Sequence, residues 1–452
     1  MKKHIKKIIF SSIIFLIILS FLFPIFFLLK ANATYNSQHT FKSEIVYLEN
    51  LDQNTVIFDK NADKKTAPAS LVKILLAAIV IENQKDLNKE ITAKKELIDS
   101  LLGTNSSTAG IRAGEVLTVE QLLYSLLIRS GNDAALILAD DTAGSIDAFV
   151  NEMNKYAKNL GCKNSHFTNV HGLDEDGNYT TARDMAKITK HALNMPEFKK
   201  ITSLRSYTLP ATNKRPRESV FGSTNLMLFP YFKYYYRYAS GVKTGTTTNA
   251  GKCLISTASK NGYNYLSIVM RAPFDEENSK NEINYTVFKE TIDSFEWAFN
   301  NIRLKNIAGV NDFITDVPIR FGRKKDRLRL LPKEEVNALI PKDADPSSVI
   351  IVPADPKIEV KAPIKKGQTI CDGKIMYANN EVSTIELVAG ESVQVSFFAF
   401  VGYYLKKFFS STLGKIIFVL ILLAILSITG LIVLVKRKKE AETIKIVRIN
   451  RK

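Results

Sequence analysis

Cysteine and histidine are scarce in this chain, with three and five of them among 452 residues. His166 and His171 lie beside Asp174, but no H-x-x-x-H pair or cysteine partner accompanies them. The sequence therefore predicts no metal site, and it indicates no cofactor. The cysteines cannot all pair and stand alone among apolar or turn residues, so we interpret them as packing thiols: Cys162, Cys253 and Cys371.

Acidic residues are fewer than basic ones, 45 against 62, which leaves a formal net charge of +17. This balance invites a nucleic-acid interpretation, as does the aromatic and basic stretch from Tyr231 to Tyr238, which resembles a base-stacking surface. Many of the cations lie in the two ends of the chain, however, and the aromatic stretch leads into a motif described below. We therefore exclude nucleic acid as a partner and predict that this stretch is a strand at the rim of a cleft.

A serine and a lysine three residues apart open a predicted helix. Ser70-Leu71-Val72-Lys73 follows Pro68, and apolar residues at helical spacing continue to Ile79. A helix start offers free backbone N–H groups and a positive dipole end, which suit an oxyanion on a group attached to Ser70. Lys73 lies one turn later and becomes a base if burial and a second cation, for which Lys243 is the candidate, favour its neutral form. The alternative is that Ser70 only caps the helix and Lys73 only extends from it to solvent.

A second short motif, Ser130-Gly131-Asn132, falls between two predicted helices. Thr118 and Gln121 have capping-box spacing before an apolar run that should end near Arg129, and another helical stretch runs from Asp133 to Thr142. The motif therefore forms a buried turn between helices, where a hydroxyl can relay a proton and an amide can hold a peptide carbonyl.

A third motif, Lys243-Thr244-Gly245, is predicted to lie on or beside a strand. A β-hairpin is indicated after it by two strand-like runs, Cys253 to Ala258 and Tyr265 to Met270, on either side of the turn dipeptide Asn261-Gly262. A glycine at position 245 lets a ligand approach the strand closely. Lys243 and the hydroxyls of Thr244 and Thr246 can bind a carboxylate.

Together and in this order, the three motifs are those of penicillin-binding proteins and class A β-lactamases. From about Glu44 to Arg303 the chain resembles the D-alanyl-D-alanine carboxypeptidases, low-molecular-mass penicillin-binding proteins of the serine peptidase class. The chain departs from that family at Val72, where threonine is usual, and at Ser240, where aspartate is usual; Lys280 is a weak counterpart of an arginine that some members carry. The resemblance rests on these blocks: Pro68 to Ser70, Arg129 to Ala134, Asn164 to Asp174, Thr181 to Ala186 and Gly241 to Gly245.

The resemblance implies an α+β fold, a serine β-lactamase/transpeptidase-like catalytic domain with an antiparallel sheet flanked by helices and a helical subdomain. It implies that Ser70 is the nucleophile, Lys73 its base and Ser130 the proton relay to the leaving D-alanine. Asn132 would hold the substrate amide, while Lys243, Thr244, Gly245 and Thr246 would form the substrate-binding strand. The implied substrates are the peptide stems of peptidoglycan, and the implied inhibitors are β-lactams.

Three alternatives stay open at the level of sequence. A D,D-endopeptidase would use the same residues, and the sequence does not separate it from a carboxypeptidase. A class A-like β-lactamase needs a glutamate in an E-x-x-L-N loop for fast deacylation, and no such string occurs between Ser130 and Lys243. A membrane-tethered wall-binding scaffold with an inactive site is disfavoured by the intact motifs. The sequence does not give the oligomeric state.

Both ends of the chain carry membrane signals. Lysines precede an apolar run from Ile8 to Leu29, followed by a small-residue cleavage site, so residues 1–33 are predicted to be a signal peptide. The run is long enough to span a bilayer, so an uncleaved anchor is the alternative. A second run, 416–435, precedes a basic tail at 436–452, which predicts one C-terminal transmembrane helix in the cell membrane with residues 34 to about 410 outside the cell.

The domain organisation follows from changes of pattern. With 46% hydrophobic and 24% charged residues, the chain can form a large core and a smaller domain. A helix from Tyr285 to Ile302 should close a catalytic domain at residues 34–304. Short β-type runs then indicate a β-rich domain at 305–400, for which we expect a spacer or docking role: Val349 to Val352, Lys357 to Val360 and Ile385 to Val388.

Overall fold

The computed structural model of the chain describes residues 40–274, 276–277 and 283–449. The predicted signal peptide lies outside the described residues. The chain forms two compact units. The first contains the described residues up to Ile307 together with Asn337–Ile350 and Ile375–Ser383, and the second contains the remainder.

The regular elements are numbered in chain order. The helices are α1 (Val72–Asn83), α2 (Lys95–Asp99), α3 (Val119–Leu127), α4 (Asn132–Ala143), α5 (Ile146–Asn159), α6 (Ala182–Leu193), α7 (Pro196–Thr202), α8 (Thr286–Asn301), α9 (Phe397–Ser410) and α10 (Thr412–Ile449). The strands up to residue 272 are β1 (Ile45–Asn50), β2 (Thr55–Lys60), β3 (Glu90–Thr92), β4 (Val116–Thr118), β5 (Ser206–Leu209), β6 (Ser219–Gly222), β7 (Ala239–Thr247), β8 (Gly251–Lys260) and β9 (Tyr263–Ala272). The later strands are β10 (Glu276–Glu277), β11 (Ile283–Asn284), β12 (Ile302–Ala308), β13 (Thr315–Arg320), β14 (Arg327–Pro332), β15 (Val336–Pro341), β16 (Val349–Pro353), β17 (Val360–Lys361), β18 (Thr369–Tyr377) and β19 (Asn380–Ala389).

The main sheet of the first unit is antiparallel and has the order β2-β1-β9-β8-β7, which leaves β7 at one edge. The predicted hairpin after the third motif is confirmed, because Lys260 pairs with Tyr263 across a two-residue turn. Both turn residues, Asn261 and Gly262, have positive φ angles of 53° and 82°, as a tight hairpin turn between twisted strands requires.

Helix α1 is the centre of the first unit. Every residue from Val72 to Val80 is buried, because the helix is apolar on all sides and is packed by α4, α5 and α6. The predicted capping box of α3 is confirmed: the Thr118 side chain accepts from the Gln121 N–H, and the Gln121 side chain accepts from the Thr118 N–H. Helix α8 lies within one residue of its predicted bounds and packs against β8 and β9.

The second unit is β-rich, as predicted, and its strands contribute to a sheet of order β16-β18-β19-β14-β13-β17. The predicted strand from Lys357 to Val360 is wrong except at its last residue. The Asp355 side chain accepts from the Lys357 N–H at 2.8 Å, a local turn that removes this segment from sheet pairing. Helix α10 contains a segment, Thr412–Lys439, that is long and apolar enough to cross a membrane.

Candidate active site

Ser70 lies in a 3-10 turn, Ala69–Leu71, that runs directly into α1. Its side chain is half-buried, whereas Lys73, one turn later, is 0% exposed. The helical spacing places the Lys73 Nζ 2.9 Å from the Ser70 Oγ. The first predicted pair is therefore in hydrogen-bond contact, on the helix predicted to carry it.

The Lys73 amine also contacts the second motif. Its Nζ lies 2.6 Å from the Asn132 Oδ1, 3.0 Å from the Ser130 carbonyl oxygen and 3.4 Å from the Ser130 Oγ. Burial, and then the nearby charge of Lys243, lower the pKa of Lys73 well below its usual value, while Asp133 acts in the opposite direction. A neutral amine at this position can accept a proton from either serine hydroxyl.

Ser130 and Asn132 form the break between α3 and α4. Ser130 has a φ of +63°, a conformation uncommon for a residue other than glycine. The Asp133 carboxylate stabilises this turn, since it accepts from the backbone N–H groups of Ala109, Ile111 and Ala134, each at 2.9 Å. Asp133 is 2% exposed, and its contribution was missed by the sequence analysis because two of its three partners, Ala109 and Ile111, lie 24 and 22 residues earlier in the chain.

The third motif lies on β7, where it approaches the Ser70 turn. A Cβ at Gly245 would lie 3.0 Å from the Ala69 Cβ and 3.2 Å from the Ser70 backbone nitrogen, tighter than ordinary contact. Glycine is therefore needed here for the strand and the turn to meet.

The polar side chains of β7 have distinct environments. Lys243 is 1% exposed, donates to the Thr244 carbonyl at 2.9 Å, and has its pKa lowered to about 7 by burial. The Thr244 Oγ1 lies 2.5 Å from the Thr224 Oγ1, a partner that the sequence analysis missed, and Thr246 is exposed. The edge strand β7 thus carries a buried lysine and two threonine hydroxyls.

The loop from Asn164 to Asp174 supports the Ser70 turn. Gly172, with a φ of +85°, is so close to Ala69 that a Cβ would lie 1.9 Å from its carbonyl oxygen. Asp174 accepts from the Thr247 hydroxyl at 2.6 Å and from the Asn249 N–H at 2.9 Å, which ties this loop to the β7–β8 connection. The loop therefore links the nucleophile turn to the end of the third-motif strand.

His171, in the same loop, is half-buried. Its Nδ1 accepts from the Leu173 N–H at 3.2 Å, so the proton of the neutral ring is on Nε2. Burial, and then the charge of Lys73, lower the pKa of His171 to about 4. This histidine is consequently neutral near pH 7 and presents an N–H donor.

The predicted strand from Tyr231 to Tyr238 is wrong: this segment forms turns, and β7 begins at Ala239. Alternate rings of the segment pack on α8, with Tyr236 stacked on Phe295 at a ring separation of 6.1 Å, whereas Tyr231 and Tyr235 are exposed. Lys280 lies outside the described residues. Within the described residues, no group of three or more His, Cys, Asp or Glu could hold a metal ion.

Comparisons with known proteins agree with this arrangement. The D-alanyl-D-alanine carboxypeptidase family model matches residues 31–274, more than half of the chain, and the model of the C-terminal domain of penicillin-binding protein 5 matches residues 304–395. The carboxypeptidase DacF of Bacillus subtilis is 29% identical over 81% of this chain and 89% of its own length. The carboxypeptidase DacC of Escherichia coli is 30% identical over 75% of this chain and 81% of its own length.

The fold is similar to that of penicillin-binding protein 5 from Haemophilus influenzae. The two align with a TM-score of 0.61 and 25% identity, over 80% of this chain and 100% of that one. The fold and the motifs thus place the chain in the class of serine-type penicillin-binding hydrolases. Within that class, the chain belongs to the D-alanyl-D-alanine carboxypeptidase family.

Proposed function

We propose that this protein removes the terminal D-alanine from the pentapeptide stems of peptidoglycan through an acyl-enzyme on Ser70. The observation that carries the proposal is the 2.9 Å contact between the Ser70 Oγ and a fully buried Lys73 amine whose pKa is lowered. A serine hydroxyl becomes a good nucleophile when a neutral base lies within hydrogen-bond reach.

In the acylation step, the Ser70 Oγ attacks the carbonyl carbon between the two D-alanines as Lys73 takes the hydroxyl proton. The C–N bond then breaks, and Ser130 delivers a proton to the leaving nitrogen while receiving one from Lys73. The 3.4 Å separation of the Lys73 Nζ and the Ser130 Oγ supports this transfer. The products are free D-alanine and an ester between Ser70 and the shortened stem.

Substrate recognition is assigned to the second and third motifs. Protonated Lys243, with the hydroxyls of Thr244 and Thr246, pairs with the terminal carboxylate, and Gly245 lets the peptide approach β7. The Asn132 amide holds the peptide carbonyl. The backbone N–H groups of Ser70 and Thr246 form the oxyanion hole; the close approach of Gly245 to the Ser70 nitrogen supports this pairing.

Water completes the reaction by adding to the ester carbon. The bond to the Ser70 Oγ breaks, the serine recovers its proton, and the shortened stem is released. The chain lacks an E-x-x-L-N string between Ser130 and Lys243, so we expect the penicilloyl ester formed with a β-lactam to hydrolyse slowly.

We further propose that α10 crosses the cell membrane and that the catalytic unit lies outside the cell. The support is the apolar segment Thr412–Lys439 and the four basic residues at 436–439, which favour the cytoplasmic side. The same proposal includes a cleaved signal peptide at 1–33, a catalytic domain at 34–304 and a β-rich domain at 305–400.

A fluorescent penicillin and a D-alanyl-D-alanine pentapeptide test the catalytic part. The label should be recovered on the peptide that contains Ser70, and D-alanine should be released from the pentapeptide. Ser70→Ala should lose both signals, whereas Ser203→Ala, at an exposed serine of the same unit, should keep them. Fluorescent penicillin recovered on another serine, or equal labelling of Ser70→Ala, would contradict the proposed acylation of Ser70.

A further inference from the structure

The antiparallel hairpin of β5 and β6 starts beside the third motif. Thr224, two residues after the end of β6, places its Oγ1 2.5 Å from the Thr244 Oγ1. The neighbouring Asn225 side chain donates to the Gly241 carbonyl at 2.7 Å. These contacts fix the base of the hairpin to β7, the strand to which substrate recognition is assigned above.

The other end of the hairpin lies near the second motif. Residues 210–218, here called the hairpin tip, connect β5 to β6. The Arg215 side chain donates to the Gly110 carbonyl at 2.8 Å. The residues on either side of Gly110 donate their N–H groups to Asp133, which directly follows Asn132. Since the four residues of β6 span about 13 Å, the hairpin extends from the third motif towards the second along one side of the site.

Side-chain contacts hold the hairpin tip in place. Glu115, which is 0% exposed, pairs with Arg215 at 3.3 Å and accepts from the Thr212 hydroxyl at 2.7 Å. The Asn213 side chain accepts from the Val116 N–H at 2.9 Å. The charge of Arg215 is therefore balanced within the protein, and the remaining side chains of the tip extend from a fixed backbone.

The remaining charges of the tip are mostly positive. Lys214 and Arg217 are exposed and make no ion pair with any described residue. Arg112 is also exposed, and its guanidinium donates to the Lys214 carbonyl at 2.8 Å, which brings a third cation to the tip. Glu218 is the one carboxylate of the tip itself. Three cations against one carboxylate give this side of the site a positive surface, which attracts anionic groups.

The proposed substrate carries anionic groups at a matching distance. Between the sugar and the two D-alanines, a peptidoglycan stem contains a glutamyl residue and a diamino acid, both of which carry carboxylates unless these are amidated. Five extended residues span at most about 17 Å. With the terminal carboxylate at Lys243 and Thr244, the inner residues of the stem can therefore reach the hairpin tip.

We propose that the hairpin tip recognises the inner carboxylates of the stem, so that the protein favours stems with free carboxylates over amidated ones. Lys214 and Arg217 pair with these carboxylates, and Arg112 adds to the positive charge beside them. These residues determine specificity without touching the reacting atoms. The inference rests on the proposed carboxypeptidase function and narrows its substrate to anionic stems.

Two soluble pentapeptide stems test this specificity, one with free inner carboxylates and one with the same carboxylates amidated. The parent protein should have the lower KM for the free stem. Lys214→Glu with Arg217→Glu should raise that KM about tenfold at low salt with kcat unchanged, and should change the KM of the amidated stem less than about twofold. Equal effects on the two stems would overturn the proposal.

The matched control is Lys85→Glu with Lys158→Glu, the same charge change at exposed positions of the first unit outside the hairpin, which should keep the preference. Acylation by benzylpenicillin, which has no inner stem residues, should be equal in the parent and in both double variants. If the hairpin variant acylates slowly, Lys214→Gln with Arg217→Gln, which removes the charges without reversing them, takes its place and should lose the preference. A preference retained by that variant would contradict the proposal.

Two further measurements separate this inference from its neighbours. If the parent releases D-alanine from neither stem, the catalytic proposal fails, and the affinities of Ser70→Ala for the two stems still test the hairpin tip; equal affinities would overturn its role. Soluble poly(glycerol phosphate) tests a different anion. If charge reversal weakens binding of this polymer but leaves the preference between the stems unchanged, the tip binds a wall polymer and its assignment to the stem is wrong.

Discussion

The two units place their charged groups differently. In the first unit, Lys73, Asp133 and Lys243 are each no more than 2% exposed. In the second unit, no polar or charged side chain is buried among the described residues, and pairs such as Lys333 with Glu386 lie at the surface. Removing a charge from water is expensive, by several kcal/mol per ion even after relaxation.

The difference indicates what each unit is built to do. Burial of Lys73 and Lys243 lowers stability but lowers the pKa of both amines, which a lysine base requires. The second unit keeps its charges in solvent, where they contribute little to stability and remain available to a partner surface. Equivalent changes in the two units should therefore have unequal effects.

The largest effect is expected at Lys73. Lys73→Arg keeps a positive charge but cannot become neutral near pH 7, so acylation by penicillin should fall by about 10²- to 10⁴-fold as general-base catalysis is lost. Lys333→Arg, the same change in the second unit, should leave acylation unchanged. The measurement is the acylation rate of both variants across pH. Near-normal acylation by Lys73→Arg would place the base elsewhere.

The next largest effect is expected at Gly172. An alanine there must move away from the Ala69 carbonyl oxygen, which displaces the Ser70 turn, and a shift of about 1 Å can reduce turnover about 10²-fold. Gly177→Ala is the matched control, since its φ of +83° is similar but its Cβ would meet only the Thr168 side chain at 3.6 Å. Both variants should lose stability, by about 1–2 kcal/mol from the backbone conformation alone. Only Gly172→Ala should also lose D-alanine release; equal activity of the two variants would contradict the proposed contact.

A smaller effect is expected at Lys243. Its pKa of about 7 means that the cation proposed to bind the substrate carboxylate is lost as pH rises. The KM of the parent protein should therefore increase above pH 7, by at most about tenfold per pH unit. Lys243→Arg stays charged, so its KM should be higher at neutral pH but nearly flat with pH. A parallel rise in both proteins would assign the pH dependence to another group.

The sequence predicted local features well and contacts between distant segments poorly. The capping box of α3, the Asn261-Gly262 turn and the approach of Lys73 to Ser70 depend on residues a few positions apart, and all three are confirmed. The close approach of Gly172 to Ala69 is formed by segments about a hundred residues apart, which no local pattern reports. A structure was needed to find it.

The two strand errors have physical causes of the same kind. The stretch from Tyr231 to Tyr238 has strand-forming composition, but its backbone closes local turns instead of pairing with a strand: the Tyr235 N–H donates to the Phe232 carbonyl, and the Ala239 N–H donates to the Tyr236 carbonyl. In the second unit, the Asp355 side chain captures the Lys357 N–H, and a local turn replaces the strand predicted there.

The smallest predicted effect is a difference in the pH dependence of stability. The folded-state pKa of Lys243 is about 7, below its ordinary value of 10.5, so between these pH values the unfolded chain binds a proton that the folded chain has released. The free energy of unfolding of the first unit should therefore rise with pH across this window. Lys73 contributes with the same sign, because its pKa is also lowered.

Lys243→Met should reduce the slope without removing it, whereas Lys333→Met, in the second unit, should leave it unchanged. Denaturant unfolding followed by the fluorescence of Trp297, which lies in the first unit, measures this slope between pH 7 and pH 10. A slope that is unchanged in Lys243→Met would show that this lysine stays protonated in the folded protein, and the contrast between the two units would then rest on Lys73 alone.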